Sequence, residues 1–135
     1  MANFAYTKAK NLMLTGEFDW VNDPVSIVLI ATGQYDPSVN HATLLDVPVS
    51  ARVAVSGTLS GRNVNGNVVD ANDYSFTSVT GPQVNAVILF VNSGTEATSH
   101  LICHLDDAVA GVPFSPSSGP VNLAWSNGAS KIFAL

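Results

Sequence analysis

Charge is what this sequence has least of. Only 11% of its residues are Asp, Glu, Lys or Arg, against roughly 25% in an ordinary soluble domain. A protein alone in solution generally keeps more charge on its surface. The shortage therefore points toward a surface partly covered by neighbours, although β-rich chains with many Ser, Thr and Asn residues are also poor in charge. The five bases, Lys8, Lys10, Arg52, Arg62 and Lys131, are scattered and set against ten acids. They form no stripe that could follow a phosphate backbone, so no direct nucleic-acid binding is expected. Cysteine is nearly absent too. Cys103 is alone, which excludes an internal disulfide and frees the fold from any need for an oxidising compartment. No apolar run, Ile27 to Ala31 included, comes near the length needed to cross a bilayer core of about 30 Å. The opening "MANFAYTKAKNLMLTGEFDW" lacks the apolar core and small-residue cleavage site of a secretory leader. These absences together predict a protein made and kept in a cytoplasm, or in a particle assembled there.

What is present is β-strand pattern. With 135 residues, 47% of them hydrophobic, the chain is expected to form one domain with a core of its own. Asn3 to Thr15 is the one stretch that predicts a long helix. Asn3 stands where a cap would, Ala5, Ala9, Leu12 and Met13 recur at helical spacing, and Gly16 stands where a helix stops. "VSIVLIAT" (Val25 to Thr32) is a β-branched run expected of a strand buried on both faces. A short helical turn is expected from His41 to Asp46, ended by Pro48. "ARVAVSG" alternates, and Asn65-Gly66 supplies the positive φ angles of a tight hairpin turn. "DYSFTSV" places Tyr74, Phe76 and Ser78 on one face before Gly81-Pro82 breaks it. "VNAVILFVN" and "SHLICHLD" flank the polar loop "SGTEAT" as the arms of a hairpin. "VNLAWS", a turn at Asn127-Gly128 and "KIFAL" close the chain. The expected architecture is all-β, a sandwich or barrel-like fold of about seven or eight short strands with an N-terminal helix. Residues 1–16 form the helix and arm, and residues 17–135 the β-sandwich.

Candidates for chemistry are few. "HLICHLDD" holds His100, Cys103, His104, Asp106 and Asp107. On a strand, His100, Ile102, His104 and Asp106 point one way, and Leu101, Cys103 and Leu105 the other. The two histidine Cα atoms then lie about 13 Å apart, an awkward span for an ion that needs each ring nitrogen within roughly 2.1 Å. A structural strand is the simpler reading, with no metal. Glu17, Asp19 and Asp23 form the densest acidic patch, where a calcium ion or a glycosidase pair is conceivable. No calcium-loop pattern accompanies them, Phe18 and Trp20 fall on the opposite face, and a solvated edge is the simpler reading. There is no G-x-S-x-G elbow, no phosphate-cradling Gly loop before a helix, no CxxC and no HExxH. The expectation is a protein that is not an enzyme and takes no cofactor. The long polar loops "TGQYDPSVNHAT", "SGTEATSH" and "GVPFSPSSGP" are either docking surfaces or ordinary turns.

Four segments together carry a resemblance: "MANFAYTKAKNLMLTGEFDWVNDPVSIVLIATGQY", "GRNVNGNVVDANDYSFTSVTG", "AVILFVNSGTEATSHLICHLD" and "VNLAWSNGASKIFAL". In order and layout, over nearly the whole chain, they resemble small virion structural proteins of tailed bacteriophages and prophages. The resemblance implies a non-enzymatic particle component, made in the bacterial host cytoplasm and located in the virion. Within that class a head decoration, or cement, protein on the capsid lattice is favoured, with the major capsid protein or other virion proteins as partners and an oligomeric or lattice-bound state. A tail, neck or fibre-adaptor subunit is the alternative. Outside it stand a carbohydrate-binding module, whose sugar platforms would be Trp20 or Trp125, and a small hydrolase. The candidate protein-contact residues are Phe4 and Tyr6 in the N-terminal segment, Tyr35 and Phe114 in the loops. Ile132 and Phe133 are expected in the core.

Overall fold

A computed structural model describes residues 3–106, 112–125 and 132–134. Its strands run β1 (Phe4–Ala5), β2 (Val25–Ala31), β3 (Arg52–Val55), β4 (Asn63–Asn65), β5 (Val68–Asp70), β6 (Tyr74–Phe76), β7 (Val84–Val91), β8 (Leu101–Leu105), β9 (Val121–Leu123) and β10 (Phe133–Ala134). One helix, α1 (Thr7–Leu14), follows β1. The chain is mostly β, as its pattern predicts, and none of the sheets closes into a barrel. Five strands form an antiparallel sheet in the order β1-β8-β7-β2-β3, three form β10-β5-β4, and β6 pairs with β9.

The five-stranded sheet has apolar matter on both faces because its two longest strands are apolar at nearly every position. All seven residues of β2 are buried. Alternation sends Val25, Ile27 and Leu29 to one face with Val87, Leu89, Cys103 and Leu105. Residues of the smaller sheets, among them Val69, Phe76, Leu123 and Phe133, and both tryptophans cover that face. The other face carries Val28, Ile30, Ile88, Phe90 and Leu101, and is covered by Tyr6, Ala9, Leu44, Val47 and Ala51. The result is sandwich-like, with the large sheet in the middle. The expected placement of Ile132 and Phe133 in the core holds.

Three local expectations need correction. The helix begins at Thr7 rather than Asn3, and its cap position is Tyr6, which makes no side-chain cap. Residues 4 and 5 are extended instead because β8 would otherwise expose an unpaired strand edge. Pairing Phe4 with His104 and Ala5 with Cys103 covers it, and the Asn3 side-chain oxygen accepts the Asp106 amide rather than capping a helix. The tight hairpin is one residue out. Asn65 pairs with Val68, so the loop residues are Gly66 and Asn67, with Gly66 at φ +66° in the first loop position, where only glycine is at ease. The turn expected from His41 to Asp46 is a shorter 3-10 turn at Leu44–Asp46, and a second at Val49–Ala51 follows Pro48 rather than being prevented by it. The Asn127-Gly128 turn lies outside the described residues.

Strand β8 departs from simple alternation. Leu89 lies opposite Cys103 but Phe90 lies opposite Leu101, so Ile102 is an extra residue, a β-bulge. Leu101 consequently packs on the Tyr6 face, and Ile102 joins Cys103 on the other. The assignments of Leu101 and Ile102 made from strict alternation are therefore reversed. Beyond the bulge the parity is as expected, with Cys103 and Leu105 facing one way and the His104 ring set against Phe4 and Tyr35 on the other.

Candidate functional site

The structure brings three of the four candidate contact residues together. Phe4 enters on β1, Tyr6 just before α1, and Tyr35 on the loop after β2. Their rings gather over the end of β8, where the Phe4 ring stacks on His104 at 5.2 Å and 11° and meets Tyr6 edge-on at 5.0 Å. The hydroxyls of Tyr6 and Tyr35 are hydrogen-bonded at 3.0 Å, and the Tyr35 hydroxyl also bonds His41 Nδ1 at 2.7 Å. Tyr6 is fully enclosed, at 0% exposure. Burial and the Tyr35 hydroxyl push its phenol far above the ordinary range, so it stays neutral. As a direct contact for a partner Tyr6 is therefore corrected: it is scaffold under the surface, while Phe4 and Tyr35 remain half-exposed. Phe114 stands apart. Its backbone exchanges two 2.9 Å hydrogen bonds with Val84, and its half-buried ring lines a shallow cleft of about 250 Å³ with Pro116, Pro120 and Val121.

The other residues singled out by sequence have structural work. Asp19 accepts hydrogen bonds from the Val21 and Asn22 amides and the Asn22 side chain, and these hold its carboxyl below the usual range. Asp23 accepts from the Asp19 amide. The acidic patch is a turn that satisfies its own backbone. Trp20 and Trp125 are 4% and 5% exposed, and their indole N–H groups donate to the carbonyls of Asp70 and Asn72. Neither presents a face on which a sugar could stack, which removes the main support for a carbohydrate-binding module. Cys103 is wholly buried, and burial pushes its thiol far up. It is not a nucleophile in the folded chain. Among the described residues, no group of three or more His, Cys, Asp and Glu side chains is placed to hold a metal ion.

Comparison of the chain with protein-family models finds no family that matches, and comparison with curated proteins finds no match either.

Two features escaped the sequence reading. Arg52 and Arg62 are not surface charges but clamps on loop carbonyls. Arg52 donates to Val47 and Leu44 and reaches Glu96 at 3.1 Å, and Arg62 donates to Trp20, Leu59 and Val21. Nothing in an isolated Arg codon-by-codon reading signals this, because the acceptors are backbone atoms. The second is exposed aliphatic surface. Leu14 is 78% exposed and Val49 73%, with Leu45, Val55 and Val64 also standing out. Val64 lines a groove of about 430 Å³ between the end of α1 and the β4–β5 hairpin, together with Met13, Phe18, Trp20 and Val69. The signal for Leu14 was available, since it falls off the helical stripe of Ala9 and Leu12.

Proposed function

We propose that the chain is a bacteriophage virion structural protein, a decoration or cement protein that binds the capsid shell and stabilises it. The observation that carries this reading is the combination of a charge-poor chain with large aliphatic side chains left in solvent at Leu14, Leu45, Val49, Val55 and Val64. Isolated exposed apolar residues are ordinary. Five of them, one lining a groove, on a chain with so little charge, suit a surface that is covered in use. The resemblance in layout to small phage structural proteins supports the same reading. So does the fate of the bases: Arg52 and Arg62 are engaged by the chain's own carbonyls, which leaves little positive charge for a nucleic acid. Among the described residues no helix is long and apolar enough to cross a membrane. The partner in this reading is the major capsid protein, and no cofactor or catalytic group takes part.

Such a protein works by mass action. Binding the assembled shell and not its free subunits stabilises the shell, and many modest contacts on one lattice add up. The test is reconstitution on shells of the encoding phage or prophage that lack the chain. Saturable binding and a higher temperature of shell disruption are expected. Leu14→Asp or Val49→Asp should weaken binding by about tenfold or more while leaving the far-UV spectrum and melting temperature unchanged, because both side chains stand in solvent. Binding to tails or necks alone would move the chain to the adaptor alternative, and binding to no particle would end the reading.

A further inference from the structure

The end of β8 holds a small, largely enclosed cavity of about 80 Å³, lined by Ile30, Gly33, Tyr35, Asn85, His104 and Asp106. His104 is 3% exposed, and its Nδ1 has no hydrogen-bond partner within the described residues; nor has the buried Asp106 Oδ1. Buried polar atoms are rarely left this way in a folded protein. A cavity of this size admits water, which can bridge two such groups.

The same two residues hold the N-terminal strand. The His104 ring carries the stacked Phe4 ring, and the Asp106 amide donates to Asn3 Oδ1 at 2.9 Å. The paired backbones of Phe4–Ala5 and Cys103–His104, the Tyr6 amide donating to the Ile102 carbonyl at 2.9 Å and the Thr7 amide donating to the Val39 carbonyl at 3.0 Å hold it as well. Strand β1 is two residues long and lies at the edge of its sheet, and short terminal elements open before the rest of a fold does.

We propose that His104 and Asp106 form a proton-operated latch, in which a neutral His104 keeps the N-terminal strand docked on β8 and a proton on its ring releases that strand. Around the ring the charged and titratable groups are few. Asp106 follows on the same strand, and Tyr35 faces it from the loop after β2, with its hydroxyl tied to Tyr6 and His41. Asp36 and Asp46 act on Tyr35 from behind it. β1 presents Phe4 and Asn3, β2 presents Ile30, and β7 presents Asn85, Ala86 and Ile88, none of which ionises. Burial holds the imidazole below its ordinary value near 6.5, and the Asp106 carboxylate offsets part of that. A ring that binds protons less well when docked than when free favours the open arm as pH falls below about 6.5. The docked arm is fully stable above that value.

Amide hydrogen exchange at Tyr6 reads the latch, with Leu89 in the central strand β7 as a control for global unfolding. After correction for intrinsic rates, protection at Tyr6 should fall roughly tenfold between pH 7 and pH 5 while Leu89 is unchanged. His104→Gln should abolish the pH dependence, and Asp106→Asn, by removing the charge that raises the docked ring's proton affinity, should deepen the fall at pH 5. Should His104→Gln fail to fold, NMR titration of the His104 ring in the unaltered chain gives the answer directly. A ring that titrates at or above 6.5 overturns the latch. So does pH-independent protection at Tyr6, a fall shared equally by Leu89, a fall that survives in His104→Gln, or a fall that Asp106→Asn makes shallower or leaves unchanged.

Discussion

Arg52 shows how a single side chain can be read wrongly from sequence and correctly from its partners. Its side chain is 14% exposed, and its guanidinium donates to the carbonyls of Leu44 and Val47, tying the first 3-10 turn and the residue that follows it to the start of β3. Its bond to Glu96 is the exposed, lesser part, although it is what holds the Glu96 carboxyl below its ordinary range. Removing a half-buried donor strands the Val47 carbonyl and leaves the Leu44 carbonyl with only the Val47 amide, whereas an ion pair at the surface contributes little. Arg52→Ala should therefore cost about 2–3 kcal/mol of stability, and Glu96→Gln should leave the denaturation midpoint almost unchanged. Urea unfolding of both variants beside the parent checks the order. Equal losses would place the ion pair, not the carbonyl clamp, at the centre of that interaction.

At the level of elements, the strands that alternate or run apolar without interruption were legible. The run from Val25 to Ala31, the hairpin from Val84 to Leu105 and the burial of Phe133 all follow from side-chain period and turn residues. The parts that were not legible depend on partners distant in sequence. Asn3 to Ala5 reads as the start of a helix until the open edge of β8 claims it. Ile102 reads as a neighbour of the histidines until a bulge, set by pairing with Phe90 and Leu89, turns it over. Of the candidate contact residues, the gathering of Phe4, Tyr6 and Tyr35 could not be foreseen, because it needs the loop after β2 folded back onto β8. The parity of β8 has its own check in Cys103, which lies on the apolar face with Leu105. Its thiol should resist alkylation by a small reagent in the native chain and react fully once the chain is denatured. Rapid native reaction would mean that the strand is turned the other way or that the sheet opens readily.

Taken whole, the molecule puts its apolar residues on both sides of one central sheet and still leaves several in solvent, with few charges among them. Several of its bases and acids serve internal ends: Arg52 and Arg62 fasten loops, and Asp19 and Asp46 accept amides within their own turns. The tryptophans are interior, and the lone thiol is sealed. What remains on the outside is polar loop with a few scattered charges and exposed aliphatic side chains, the surface on which the proposed attachment to a lattice rests. On the virion reading proposed above, the number of copies of this chain in purified phage particles tests that claim most directly. The account predicts an abundant small component in a fixed ratio to the major capsid protein, in step with the sites of the shell. A handful of copies per particle, or none, would contradict it.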